Sequence, residues 1–343
     1  MSLPSLGPVA PSLPTPRGEL SNAVVTALRG DRTRVDSLPK PDGQDPYGLD
    51  LQLALHTCYE LHYRGFDGVD PEWEWQTDLL QFRSTLEERF LDAIRGGITG
   101  GKALNRALDA LLVEPVGGTG ISRYLLDEGE WWHMREYFVH RSIYHHKEAD
   151  PHAWVIPRLN GQAKASLVAV EFDEYGGGHG DRMHSQLFVD LLAAAGLNTE
   201  YLHYMDEVPA SMIAIVNMMS LFGLHRALRG ALVGHFAATE ITTSPSARRT
   251  VEVLERLRAD PACVHFFAEH VEADAVHEQV LRHDVLGDLL TREPALTGSV
   301  VLGIQATSLL EDRFTDDVLG AWRSGRTSLS GRTPLPESTV QSV

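Results

Sequence analysis

Apolar residues recur at three- and four-residue intervals through most of the chain, and runs that alternate apolar with polar residues between turn signals are scarce. This periodicity predicts helices over 49–64, 74–95, 102–113, 130–149, 161–175, 182–195, 208–221, 223–240, 245–258, 262–282 and 297–322. The fold class that follows is all-α. Residues 1 to about 16 are rich in Pro and Ser, and Val35 to Tyr47 is a second polar, Pro-containing stretch, so the two flank a short helix over Glu19–Arg29. Residues 1–45 therefore read as an N-terminal arm, partly disordered, residues 46–325 as the folded domain, and the Ser- and Pro-rich residues 326–343 as a disordered tail.

Three breaks in the pattern have mechanical causes. Pro151 biases Asp150 away from helix, so the helix from Glu130 is predicted to finish near Glu148. Gly176-Gly177-Gly178 ends the next helix just after Tyr175, with re-entry near Asp181. In Thr243-Ser244-Pro245-Ser246, Ser244 is a candidate N-cap and Pro245 a first helical residue, which predicts a boundary there.

Composition adds limits. The 343 residues are 43% hydrophobic, enough for a full core in one large domain or two smaller ones, and no repeat of solenoid length is present. Thirty basic against 47 acidic residues give a formal charge of −17, which removes the electrostatic attraction for nucleic acid or an anionic membrane. Cys58 and Cys263 lie far apart with no Cys-x-x-Cys, so neither a disulfide framework nor a cysteine zinc site is indicated. No apolar run approaches the ~18 residues of a membrane span, and the first residues lack the pattern of a signal peptide. A cytoplasmic protein is expected.

The chemistry concentrates in His270-Val-Glu-Ala-Asp274-Ala-Val-His277, because at 100° per residue the three named side chains fall within roughly 60° of one another on a helix. Two imidazoles and a carboxylate on one face suit a transition metal such as Fe(II). On spacing alone, a solvated face or a histidine pair satisfied by core hydrogen bonds accounts for the triplet equally well. Other helices offer further donors: Glu174 in the last turn of one, His184 just after the glycine break, and Glu148 at the end of the helix that holds His140, His145 and His146. Three carboxylates and three histidines are about what two irons need if positions are left open for O2 and substrate.

The order Glu148, Glu174, His184, His270, Asp274, His277, with Lys147-Glu-Ala-Asp-Pro-His-Ala-Trp154, Asp173-Glu-Tyr-Gly-Gly-Gly178 and Phe266-Phe-Ala-Glu-His-Val-Glu-Ala-Asp274 around it, resembles the haem-oxygenase-like di-iron oxidases and oxygenases. These are also called iron-containing redox enzymes and bind no haem. The resemblance covers roughly residues 125–320 and leaves 1–45 outside. It implies a haem-oxygenase-like helical bundle with additional N-terminal helices, these six residues as metal ligands, two Fe cycling between Fe(II) and Fe(III), O2 as co-substrate and an external reductant. It also implies weak iron binding, with the metal-free protein partly disordered around His270 to His283, and it points to a homodimer. Members N-oxygenate amines, cleave C–C bonds of amino acids or fatty acids, or oxidise themselves.

The reading favoured is N-oxygenation of a small amine or amino-acid side-chain amine, lysine among the candidates, to a hydroxylamino or nitro product in specialised metabolism. The alternatives are cleavage or desaturation of an amino acid or fatty acid at the same cluster, and a metal-free helical protein that binds a small molecule. A long apolar tunnel would favour a fatty acid and an acidic end an amino acid.

Several other residues look chemical and are assigned elsewhere. Glu130-Trp-Trp-His133 has ferritin-like Glu-x-x-His spacing but no second copy, so it reads as structural, as does the pair Glu136 and His140. His145 and His146 can support Glu148 but not replace it. Glu240 ends an apolar helix and is open between capping and a supporting or substrate role at the site. Gly96-Gly-Ile-Thr-Gly-Gly-Lys-Ala103 nearly matches a phosphate loop, yet Ala103 replaces the hydroxyl that would hold Mg²⁺ and no strand precedes it, so it reads as a turn. Gly117-Gly-Thr-Gly-Ile-Ser is likewise a turn, and Met212, Met218 and Met219 read as core filling.

Overall fold

The apolar stripe of the first helix, α1 (Glu19–Arg29), buries Leu20, Val24, Val25 and Leu28 against α2 (Leu49–Glu60). Asp50 of α2 accepts hydrogen bonds from the backbone amides of Leu20 (3.0 Å) and Ser21 (2.8 Å) at the open N-terminus of α1. The arm is thus fastened to the domain by a helix that stands where the periodicity put it. The computed structural model describes residues 10–32, 38–112, 120–331 and 335, and all regular structure among them is helical.

After α2 come α3 (Thr77–Gly97), α4 (Leu104–Leu112), α5 (Ile121–Glu128), α6 (Trp131–His145), the short α7 (Asp150–Ala153), α8 (Gly161–Glu174) and α9 (His184–Ala194). The second half holds α10 (Ala210–Leu224), α11 (Arg229–Arg256), α12 (Pro261–Gln279), α13 (Leu286–Arg292) and α14 (Thr297–Trp322). Every residue of α10 from Ser211 to Gly223 is buried, Met212, Met218 and Met219 included, so this helix forms the centre of the core. The axes of α10 and α11 are bent by 105° at the break between them, and α11 then runs between α12 and α14. Glycines set the α11–α14 spacing: a Cβ at Gly303 would lie 1.9 Å from the Ala231 carbonyl oxygen, and one at Gly234 would lie 2.1 Å from that of Val300. Among the described residues no single helix is long and apolar enough to cross a membrane.

The boundary predicted at Pro245 is not there, since α11 continues through it. Proline removes one helical hydrogen bond, but the flanking hydroxyls bond carbonyls of the same helix, Thr242 to Ala238, Thr243 to Thr239 and Ser246 to Thr243. Packing on both sides holds the segment straight enough to continue. Ser244 is accordingly no N-cap, and its hydroxyl faces the Val271 carbonyl oxygen of α12 at 3.4 Å.

Other boundaries also moved. The helix from Glu130 stops at His145 rather than near Glu148, because Asp150 and Pro151 open α7 and the intervening residues form a turn that carries Glu148. The break after α10 comes at His225–Leu228 rather than near 222, and α5 and α13 are helices that the periodicity did not single out. Past Gln279 the chain continues as a π-helical turn, Val280–Val285. Gly100 and Gly101, both at positive φ, make the α3–α4 connection a turn, and the Gly100 amide donates to Gln305 (2.8 Å). The Gly117–Thr119 part of the other glycine-rich turn lies outside the described residues. Residues 326–331, the start of the expected tail, lie on the bundle, where Glu136 accepts from the Ser328 amide and Ser330 donates to the Glu207 carbonyl.

Candidate metal centre

Glu174 and His184 are brought together by the triple-glycine reversal between α8 and α9. Gly176, Gly177 and Gly178 all have positive φ, and a Cβ at Gly176 would lie 2.6 Å from the Met183 amide nitrogen, so a side chain fits neither the backbone nor the space. His184 Nδ1 ends 2.8 Å from Glu174 Oε2 and 3.8 Å from Glu148 Oε1. From α12, His270 Nε2 approaches Glu148 Oε1 at 3.3 Å, while His277 Nδ1 lies 3.6 Å from Glu174 Oε1 and 3.3 Å from Glu240 Oε2.

These contacts resolve into two groups of donors, each drawn from within a 4.8 Å span: Glu148, His184 and His270 in one, Glu174, Glu240 and His277 in the other. The His184–Glu174 contact joins them. Five of the predicted six residues are therefore in the cluster, and Glu240, left open by the sequence, supplies a sixth donor. Asp274 lies on α12 between His270 and His277, but its side chain lies outside the described residues.

Neighbouring groups orient the donors. His270 Nδ1 donates to the Phe266 carbonyl (2.7 Å), which leaves Nε2 as the nitrogen that faces Glu148. His277 Nε2 faces the exposed carboxylate of Asp173 at 3.3 Å, so its Nδ1 points inward. Phe266 packs on His270 and His145 and, with Phe188, makes a dry wall. His145 contacts Glu148 Oε2 directly. Behind Glu148, Lys147 and Glu60 form a buried ion pair (2.7 Å) that Tyr201 completes from its hydroxyl, and this ties the Glu148 turn to α2.

The charge of the pocket fits a cation. Burial would raise the Glu148 carboxyl, yet His145, His184 and His270 hold it well below the usual carboxylate range. His184 goes the other way: burial would lower it, but Glu174 and Glu148 push it up to about 11. Glu171, one turn before Glu174, has both carboxylate oxygens buried without a hydrogen-bond partner. Burial and the carboxylates of Glu174, Glu240, Asp150 and Glu148 drive its carboxyl well above the usual range. Every ion pair of Glu148 and Glu174 among the described residues is with an imidazole. A buried set of oxygen and imidazole donors, with Glu148 and Glu174 in no ion pair with lysine or arginine among the described residues, is what divalent transition metals neutralise.

Sequence spacing missed Glu171 and Asp173, although both stand within three residues of Glu174. Glu171 shares its helix face by the i, i+3 rule. The decoys have other work. The His133 ring accepts from the Glu130 amide at the start of α6, and Glu136 accepts from Trp322 Nε1 and the Ser328 hydroxyl.

A cavity of about 330 Å³ opens onto the cluster. Glu148, Glu174, Glu240 and His270 line it, as do Arg141, Glu311 and the exposed Asp312. Thr and Ser side chains of α11 and α14 share the rest of the wall with Leu111, Ile121, Phe236, Phe266 and Phe267.

Residues 135–312, just over half of the chain, match the family described as iron-containing redox enzyme. The chain is also similar to nitrosourea synthase of Streptomyces achromogenes subsp. streptozoticus, with 26% identity over 164 residues. That match covers 48% of this chain and 35% of the relative, so the chain spans well under two thirds of the relative's length. Both clustered donor groups fall inside the matched family region, and their all-helical setting agrees with the haem-oxygenase-like fold. The chain belongs to the family of iron-containing redox enzymes.

Proposed function

We propose that this protein is a non-haem di-iron oxygenase that N-oxygenates a small amine or the side-chain amine of an amino acid. The observation that carries the reading is the pairing of two three-donor groups, Glu148/His184/His270 and Glu174/Glu240/His277, joined at 2.8 Å through His184 and Glu174. Each group would hold one iron, with Asp274 as a further candidate ligand from the same face of α12. Iron at this site would supply the electrons and coordination that let O2 react with a closed-shell amine. Hydroxylation of R–NH2 to R–NHOH consumes one O2, two electrons and two protons and releases water, so an external reductant is required.

The chain's own residues do the rest. The Phe266 carbonyl and Asp173 fix which imidazole nitrogens face the cluster, and the carboxylates of Glu148, Glu174 and Glu240 keep it compatible with changing positive charge. Glu171, whose carboxyl is driven well above the usual range by burial and the neighbouring carboxylates, can hold a proton beside Glu174. The Phe188 and Phe266 rings exclude water from the His270 side. The carboxylates of Glu148, Glu174, Glu240, Glu311 and Asp312 in the cavity wall support an amine over the like-charged head group of a fatty acid. The relative's name, nitrosourea synthase, also denotes formation of a nitrogen–oxygen product.

Anaerobic loading with Fe(II), metal analysis and O2 uptake test this. The parent is expected to take up two irons and to consume O2 faster when the right amine is present. A His270→Ala protein that loads and reacts as the parent does would sink the di-iron reading.

A further inference from the structure

The cavity carries, besides the donor cluster, an ion pair with spare capacity. Arg141 of α6 donates from both Nη atoms to Glu311 of α14, at 3.0 and 2.7 Å, and the guanidinium sits among the rings of Tyr137, Tyr144 and Phe314. Its Nε is buried and has no hydrogen-bond partner. Each Nη still carries a second N–H beyond the one given to Glu311, and from the cavity that Arg141 lines these can bind another carboxylate. Beside it, Glu311 and Asp312 offer acceptors for an ammonium group, and both line the same cavity.

The cavity wall is mixed, with Leu111, Ile121, Phe236 and Phe267 beside a row of threonines from α11. Thr239, Thr242, Thr243 and Thr250 each donate their hydroxyl proton to a carbonyl of α11 four residues back. With those protons committed, the oxygens have only lone pairs to offer a ligand. Those lone pairs, with the carboxylates of the cavity, can accept from a substrate amine.

We propose that Arg141, Glu311 and Asp312 form the head-group clamp for a basic α-amino acid, Arg141 taking the carboxylate and Glu311 with Asp312 the α-ammonium, so that the side-chain nitrogen points to the buried donors. This rests on the reading of the cluster as an amine oxygenase. The three residues are positioning residues, because they act on the head group and not on the reacting nitrogen.

The test is calorimetric titration of the full chain, both metal-free and loaded anaerobically with Fe(II). The probes are L-lysine, L-ornithine and L-arginine, then pentane-1,5-diamine and 6-aminohexanoate as head-group deletions, and decanoate. At least one of the three amino acids is expected to bind, and loss of its carboxylate or its α-ammonium is expected to weaken binding about tenfold or more. Asp312→Asn, an exposed change that leaves the core alone, should weaken the amino acid and leave 6-aminohexanoate unaffected. The paired change Arg141→Gln with Glu311→Gln, which leaves no lone buried charge, should remove the preference for a carboxylate. The clamp is overturned if the diamine binds as tightly as the amino acid, if decanoate is preferred, or if none of the three amino acids binds. Iron uptake is read in the same samples: two irons without head-group discrimination would remove the clamp and leave the oxygenase reading, and discrimination without iron uptake would do the reverse.

Discussion

Replacing Gly303 with Ala tests whether the α11–α14 contact fixes both stability and the site. The added Cβ would lie 1.9 Å from the Ala231 carbonyl oxygen, 2.7 Å from its carbon and 2.9 Å from its Cα, all backbone atoms that cannot swing aside. An ordinary carbon–oxygen contact is about 3.3 Å, so the two helices must part by roughly 1.4 Å. Overpacking of this kind costs about 1–3 kcal/mol and more when the obstacle is rigid, so about 3 kcal/mol is expected here. For a chain of this size that is a fall in Tm of about 5 °C or more. The parting also carries Thr307 and Glu311, one and two turns along α14, away from Glu240 and its neighbours on α11, so iron affinity should fall with stability. The control lies on the same helix: a Cβ at Gly320 meets nothing within 4 Å, and Gly320→Ala should stabilise by about 0.5–1 kcal/mol through helix propensity alone. Thermal and urea melts of both variants decide the matter. Gly303→Ala melting with the parent, or Gly320→Ala falling as far as Gly303→Ala, would refute the packing argument.

Three further outcomes follow from the geometry. Glu240→Ala removes a donor from one group only, so metal analysis should find iron per chain reduced from about two to about one; two irons retained would take Glu240 out of the ligand set. Lys147→Met leaves Glu60 buried and uncompensated, at a cost of about 3–5 kcal/mol in urea melts, and Lys147→Met with Glu60→Gln should regain most of it. His140 is fully buried and burial pulls its pKa down to about 3 from the ordinary value of 6.5, so the unfolded chain binds a proton that the folded chain refuses. That contribution is complete above pH 6.5 and is lost as pH falls towards 3, at up to about 1.4 kcal/mol per pH unit. His140→Gln keeps a donor to Ser328, and its stability between pH 6.5 and 4.5 should slope less steeply; an unchanged slope would mean that His140 is not responsible.

What the sequence made legible was whatever depends on neighbours along the chain. The α1 boundaries, the reversal at Gly176–Gly178 and the shared face of His270 and His277 are all consequences of local dihedral preference or helical period, and the structure has them. Pro245 misled for the opposite reason. Local chemistry votes for a helix start there, and only the flanking hydroxyls and the helices on either side reverse the vote. Glu240 was ambiguous from sequence because its role is decided by where α11 lies relative to α12, and that is set by the glycine contacts with α14 and the Ser244–Val271 contact. The N-terminal helices carry the same lesson to the site itself. Nothing local connects Glu60 with Glu148, yet Glu60 neutralises Lys147, Lys147 anchors the turn after α6, and that turn presents Glu148 to His184 and His270. The segment outside the matched family region therefore acts on the cluster through the buried Glu60–Lys147 ion pair, with Tyr63 under the Lys147 ammonium and Arg64 donating to the His146 carbonyl. A chain that began after α2 would keep five of the six clustered donors on intact helices and lose the anchor of the sixth.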